Sequence, residues 1–164
     1  MNQHFARFAV FFVGALISVS AFAGKGKGHG KHDGHGKQAA VEMLIEDAKF
    51  SPMDPKNPNA PEIANANGDL WKGHAWFYMK MKKGESPIHM HSGDYHAVLL
   101  KGQSKHWAAE GKTVADAKVM NPGSYWFQPG GQFHGDACLD EAGCMVMIHT
   151  DKKFDFAVAP EAKK

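Results

Sequence analysis

Residues 84–102 read GESPIHMHSGDYHAVLLKG, with His89, His91 and His96 inside eight residues and no glutamate between the first and the last. Side chains of a strand alternate in direction, so His89 and His91 point to one face and Met90 to the other. A lone histidine is ordinarily a satisfied core or surface residue. A pair at i and i+2, a third at i+7, and a fourth, His134, beside a Pro-Gly-Gly turn form a pattern of imidazoles that can approach one ion from a common wall.

The flanking sequence reads as short strands. Residues 74–81, HAWFYMKM, alternate, with Phe77, Met79 and Met81 on one parity and Trp76, Tyr78 and Lys80 on the other, which predicts a half-buried strand. Further strands are expected at 95–100, 105–108, 118–120, 124–127, 132–137, 144–149 and 154–158. Lys101-Gly102, Glu110-Gly111-Lys112, Asn121-Pro122-Gly123 and Pro129-Gly130-Gly131 are the turns between them. Residues 52–61, PMDPKNPNAP, form a loop that no helix could cross, and helical character is confined to one turn near 113–117. Many short strands at regular spacing predict an antiparallel sandwich or barrel.

The chain has 164 residues, enough for one domain with a real core. Residues 1–23 carry Arg7, an apolar run over 8–17 and the ending Ala21-Phe22-Ala23, the layout of a cleaved secretory signal. The run is short for a membrane span, so stable membrane insertion is not expected and the protein is placed in the periplasm or outside the cell. Residues 24–40 are rich in Gly, Lys and His and too poor in apolar side chains to offset their ordering entropy, so a disordered tail is expected. Its His29, His32 and His35 make it either a plain soluble linker or a weak scavenger of metal ions.

Setting aside Arg7 and the net +3 of residues 24–37, the formal charge of +2 becomes −2 for the remaining domain, which carries no nucleic-acid footprint. Cys138 and Cys144 enclose five residues, and an oxidising compartment favours a disulfide there over two free thiols.

Residues 123–134, GSYWFQPGGQFH, read G-x5-P-x-G-x2-H. With residues 84–102 they resemble the two motifs of the cupin superfamily, the first of which is G-x5-H-x-H-x3-4-E-x6-G. Gly123, Pro129, Gly131 and His134 fit every fixed position of the second motif; in the first, the His pair and Gly102 fit, and His89 falls one place early from Gly84. More narrowly, the Pro52-Met53-Asp54-Pro55 loop, Asn67-Gly68-Asp69, Asp94-Tyr95, the paired cysteines and Phe154-Asp155-Phe156 resemble an exported bacterial cupin group of unknown function. The resemblance implies an all-β, single-domain double-stranded β-helix, a jelly-roll barrel, over residues 41–160, with pairing through sheet edges as a family expectation.

The usual carboxylate of the first motif is missing. Counting four residues on from His91 puts His96 in its place; counting seven back from Gly102 puts Tyr95 there, and neighbours on a strand face opposite sides. Imidazole is the better ligand, which favours a four-His site of His89, His91, His96 and His134 holding one divalent Fe, Cu, Ni, Co or Zn. The alternative is a three-His site with Tyr95 facing it as a substrate-positioning group. His74, His106 and His149 read as structural or exposed, Gln128 and Gln132 as polar flanks of the turn, and no carboxylate suited to act as a base is evident beside the histidines. The expected function is metal-dependent chemistry of the oxygenase, isomerase or hydrolase type on a small oxygen-bearing molecule, or else noncatalytic binding of a metal or small molecule, since the fold itself does not choose.

Overall fold

The computed structural model describes residues 39–160; the expected signal at 1–23 and most of the expected tail at 24–40 lie outside them. Eleven strands form two antiparallel sheets: β1 (Ser51–Pro52), β2 (Glu62–Asp69), β3 (Gly73–Met81), β4 (Gly84–Glu85), β5 (His89–Met90), β6 (Tyr95–Lys101), β7 (Ser104–Ala108), β8 (Tyr125–Gln128), β9 (His134–Cys138), β10 (Cys144–Thr150) and β11 (Ala157–Val158). The first sheet runs β1-β2-β3-β10-β6-β8; the second runs β11-β5-β9-β4, with β7 also on β9. This is the all-β jelly roll that the strand spacing implies, and among the described residues the one helical element is a 3-10 turn at Ile45–Asp47. No helix among them is long and apolar enough to cross a membrane.

The core sits between the sheets. Phe77, Leu99, Val146 and Ile148 are fully buried, each on the inward parity of its strand, and Cys138 and Cys144 join this cluster as a disulfide. The parity expected for β3 is present at Ala75 and Phe77, buried, and at Trp76 and Lys80, exposed; Tyr78, on the outer parity, departs from it and is buried. Three strand expectations need correction. Residues 118–120 make only an isolated bridge from Met120 to Ser104, and 154–158 pair only at Ala157–Val158. β2 was not anticipated, because EIANANGD lacks the β-branched and aromatic content that marks a strand. Its pairing with β3 supplies what propensity does not, through two register shifts around Asn67.

Two features aim the inner wall. β5 and β9 pair with His89 directly opposite His134. The Pro129-Gly130-Gly131 turn then folds against the residues after His91: Gly131 donates its N–H to the His91 carbonyl at 2.8 Å and Gly130 to Asp94 Oδ1 at 2.7 Å. A Cβ on Gly130 would meet the Ser92 carbonyl oxygen at 2.6 Å, so only glycine allows this approach.

Candidate metal centre

His89, His91 and His134 are buried, and one ring nitrogen from each lies within 4.8 Å of the others. The hydrogen bonds decide which nitrogen. Nδ1–H of His89 donates to the Pro87 carbonyl at 2.8 Å, that of His134 to the Gln132 carbonyl at 3.2 Å, and that of His91 to the Asp155 carbonyl. A carbonyl only accepts, so each Nδ1 carries a proton, and Nε2 is the nitrogen turned away from the backbone and available to a metal. Three imidazoles anchored by backbone oxygens, with Nε2 free, are the state in which histidine binds a metal.

Burial pushes the pKa of His91 down to about 4, against the opposing hydrogen bond to Asp155; burial likewise takes His134 to about 4, against the pull of Asp136. Both rings are therefore neutral at pH 7. The C-terminal segment fixes two of the rings: Phe154 stacks on His91 at 4.1 Å between centroids and Phe156 on His89 at 4.6 Å.

The choice between His96 and Tyr95 falls to Tyr95. His96 lies on the outer face of β6, exposed, with Nδ1 2.7 Å from the Tyr125 hydroxyl and its ring against Phe127, so the four-His set is corrected to three. Tyr95 is buried on the inner parity with Ala97 and Leu99. Its hydroxyl donates to His134 Nε2 at 3.3 Å and accepts from Trp126 Nε1 at 3.4 Å. Burial raises its pKa well above 10, so it stays a neutral phenol.

A carboxylate is present after all. Asp136, two residues past His134 and so on the same face of β9, places Oδ2 3.6 Å from His89 Nε2 and 3.7 Å from His134 Nε2. Two donors about 2.1 Å from one tetrahedral ion stand roughly 3.4 Å apart, so these spacings suit Asp136 as an oxygen donor beside the imidazoles. Burial would raise its pKa, but the hydrogen bond from His106 and the electrostatic pull of the His106, His134 and His89 rings outweigh that and hold it below the ordinary carboxylate value. The signal for it was the spacing H-x-D in His134-Gly135-Asp136, the same i, i+2 parity as His89 and His91.

His106, expected to be merely structural, orders that carboxylate. Its Nδ1 donates to Asp136 Oδ1 at 2.8 Å and its Nε2 faces Gln128 Oε1 at 3.0 Å. The Gln128 amide nitrogen is committed to the carbonyls of Pro129 and Gln132, which fixes the amide orientation and leaves its oxygen as an acceptor. His106 thus bridges the Asp136 carboxylate and the Gln128 amide oxygen. Gln128, read as a polar flank of the turn, is buried and serves this chain of bonds.

His89, His91, Tyr95 and Asp136 line a cavity of about 740 Å³ whose walls include Met79, Met81, Trp126 and Ile148. Three histidines and an aspartate thus lie together on the inner wall of a jelly-roll barrel. Comparison with solved structures agrees on the fold. The chain is similar to the polyketide cyclase RemF from Streptomyces resistomycificus (14% identity, TM-score 0.59, 76% of this chain and 89% of that one). It is also similar to KdgF from Halomonas sp. (11% identity, TM-score 0.51, covering 66% and 93%). Oxalate decarboxylase from Bacillus subtilis matches at 16% identity and TM-score 0.53, over 76% of this chain and 33% of that one, so this chain spans about a third of its length. At these identities the likeness concerns the fold alone. No protein-family model and no curated protein matches the chain by sequence.

Proposed function

We propose that the chain is an exported metal-dependent enzyme that binds one divalent Fe, Co, Ni, Cu or Zn on His89, His91 and His134, with Asp136 as the oxygen donor beside them, and acts on a small oxygen-bearing molecule. The observation that carries this is the set of three Nδ1–H groups tied to backbone carbonyls, which turns three Nε2 atoms toward one place on the inner wall beside an open cavity. A nitrogen-rich donor set with one carboxylate fits borderline transition metals better than Mg or Ca.

When bound, such an ion supplies Lewis acidity to a substrate oxygen. The chain's own groups do the rest. Tyr95, neutral and buried, offers an O–H to a substrate oxygen near His134. Asp136, held through Oδ1 by His106, keeps Oδ2 turned toward the imidazoles. Met79, Met81, Trp126 and Ile148 exclude water around the apolar part of the ligand. Ser104 Oγ lines the same cavity, buried and without a hydrogen-bond partner among the described residues, which favours a ligand with a second polar group. Export is supported by the Cys138–Cys144 disulfide.

The test is metal content of the full chain purified without affinity metals, with single Ala variants alongside. One tightly held equivalent, lost in His91→Ala and His134→Ala and kept in His96→Ala, is expected. Azide added to the Co(II)-loaded protein separates catalysis from a closed structural ion: a shifted visible spectrum reports an exchangeable position, and an unmoved one overturns the enzymatic proposal.

A further inference from the structure

A second set of donors stands on the opposite, outer face of the six-stranded sheet. His74 opens β3, His149 lies near the end of β10, and Asp151 follows β10 directly. One donor atom from each lies within 4.8 Å of the others: His74 Nδ1 is 3.0 Å from Asp151 Oδ1, and His149 Nε2 is 3.6 Å from the same oxygen. These two spacings bracket the roughly 3.4 Å expected between donors that share a tetrahedral ion at about 2.1 Å.

The backbone is bent to bring them together. Gly73 has φ +103° and His74 φ +55°, the latter being the one non-glycine residue with positive φ among the described residues. That conformation is one an L-residue rarely adopts unless its surroundings hold it. It is held from both sides. A Cβ on Gly73 would meet the backbone of residues 151–153 at 3.0–3.1 Å, and one on Gly68 would strike the His74 carbonyl oxygen at 2.2 Å. The close approach at Gly73 is what sets the His74 ring beside Asp151.

An ordinary surface ion pair needs one imidazole per carboxylate. Here two imidazoles from different strands meet one carboxylate oxygen, and the second is immobilised: the His149 ring packs on Trp76 at 4.5 Å and is largely buried.

We infer that His74, His149 and Asp151 form a second binding site for a divalent transition metal, of the Cu(II), Ni(II) or Zn(II) type, on the surface of the barrel and separate from the interior centre. Two imidazoles and one carboxylate select these ions over Mg and Ca. Binding displaces the proton that His74 Nδ1 donates to Asp151. The exposure of His74 and Asp151, with side chains 84% and 78% accessible, leaves the remaining coordination positions to water and lets the ion exchange freely.

Trp76 is the reporter, because Cu(II) on His149 lies against its ring. The experiment titrates Cu(II) into the full chain and into Trp76→Phe, and takes the difference in tryptophan fluorescence as the signal of Trp76 alone. That subtraction removes quenching from Cu(II) bound to the interior histidines near Trp126 or elsewhere in the chain. The Trp76 signal is expected to be quenched, to recover with EDTA, and to lose its quenching in Asp151→Asn and in His74→Asn. Asn tolerates the left-handed backbone, so this variant removes the imidazole and keeps the turn. Both substitutions are at exposed positions, and unchanged urea unfolding confirms that they fold. A Trp76 signal that Cu(II) leaves unquenched, or quenching that survives in both variants, overturns the site.

Discussion

Lowering the pH of the metal-free protein should cost it stability by an amount that the two buried histidines set. His91 and His134 have folded-state pKa values of about 4 against an ordinary 6.5, so between those values the unfolded chain binds protons that the folded chain refuses. Stability is full above pH 6.5 and is lost as the pH falls toward 4. At pH 5 the unfolded form of each histidine is favoured by a factor of about 30, or about 2 kcal/mol, and the ceiling below pH 4 is about 3.4 kcal/mol each. Treated as independent, the pair costs about 4 kcal/mol between pH 7.5 and 5, a large share of a typical domain's 5–15 kcal/mol.

The lowered pKa of Asp136 acts in the same direction, but below this window, since an ordinary carboxyl at 3.8 protonates only as the pH falls further. The assay is urea unfolding of the chain in chelator at pH 7.5, 6 and 5, with His91→Asn beside it. That variant removes one of the two groups and should halve the loss. A stability that stays flat or rises toward pH 5 would refute the assignment of these rings as buried and neutral.

Asp136→Asn should weaken metal binding by roughly 10–100-fold, measured by chelator competition, because both the oxygen donor and the partner of His106 change. Phe154→Ala should cost about 3–5 kcal/mol in urea unfolding, since the ring is buried, packs on Phe77 at 4.9 Å and stacks on His91. Replacing Cys138 and Cys144 by Ser removes a short closed loop, and about 2 kcal/mol of stability should go with it.

Much of this site was legible in the residues because strands have a fixed period. His89 and His91 share a face by parity alone, and the two-part spacing of the motifs joins them to His134. The fourth position was not legible, for a reason specific to β6. Ala97 and Leu99 share the parity of Tyr95, while Val98 and Leu100 share that of His96, so both faces of the strand are apolar and the hydrophobic pattern does not say which looks inward. Partners across the sheet decide it. His149 and Phe127 flank His96 on the outside, and both are distant in sequence. Asp136 is not marked by the first motif, whose carboxylate follows the first His pair, because the fold supplies it from the strand that carries His134.

The C-terminal segment carries a dependence that no local motif could reveal. The His91 ring is oriented by the Asp155 carbonyl, 64 residues on, and covered by Phe154; the His89 ring is covered by Phe156. The Asp155 carboxylate accepts from the N–H and the hydroxyl of Ser92, both at 2.7 Å, and β11 pairs with β5 at the two residues His89 and Met90. One segment of five residues, 154–158, therefore sets the tautomer of one imidazole and the plane of two. An ion on His89 and His91 must favour the docked segment, because undocking frees the His91 ring to take a tautomer that protonates the nitrogen the ion needs. By linkage the docked segment favours the ion equally, so metal affinity and C-terminal order are two readings of one equilibrium.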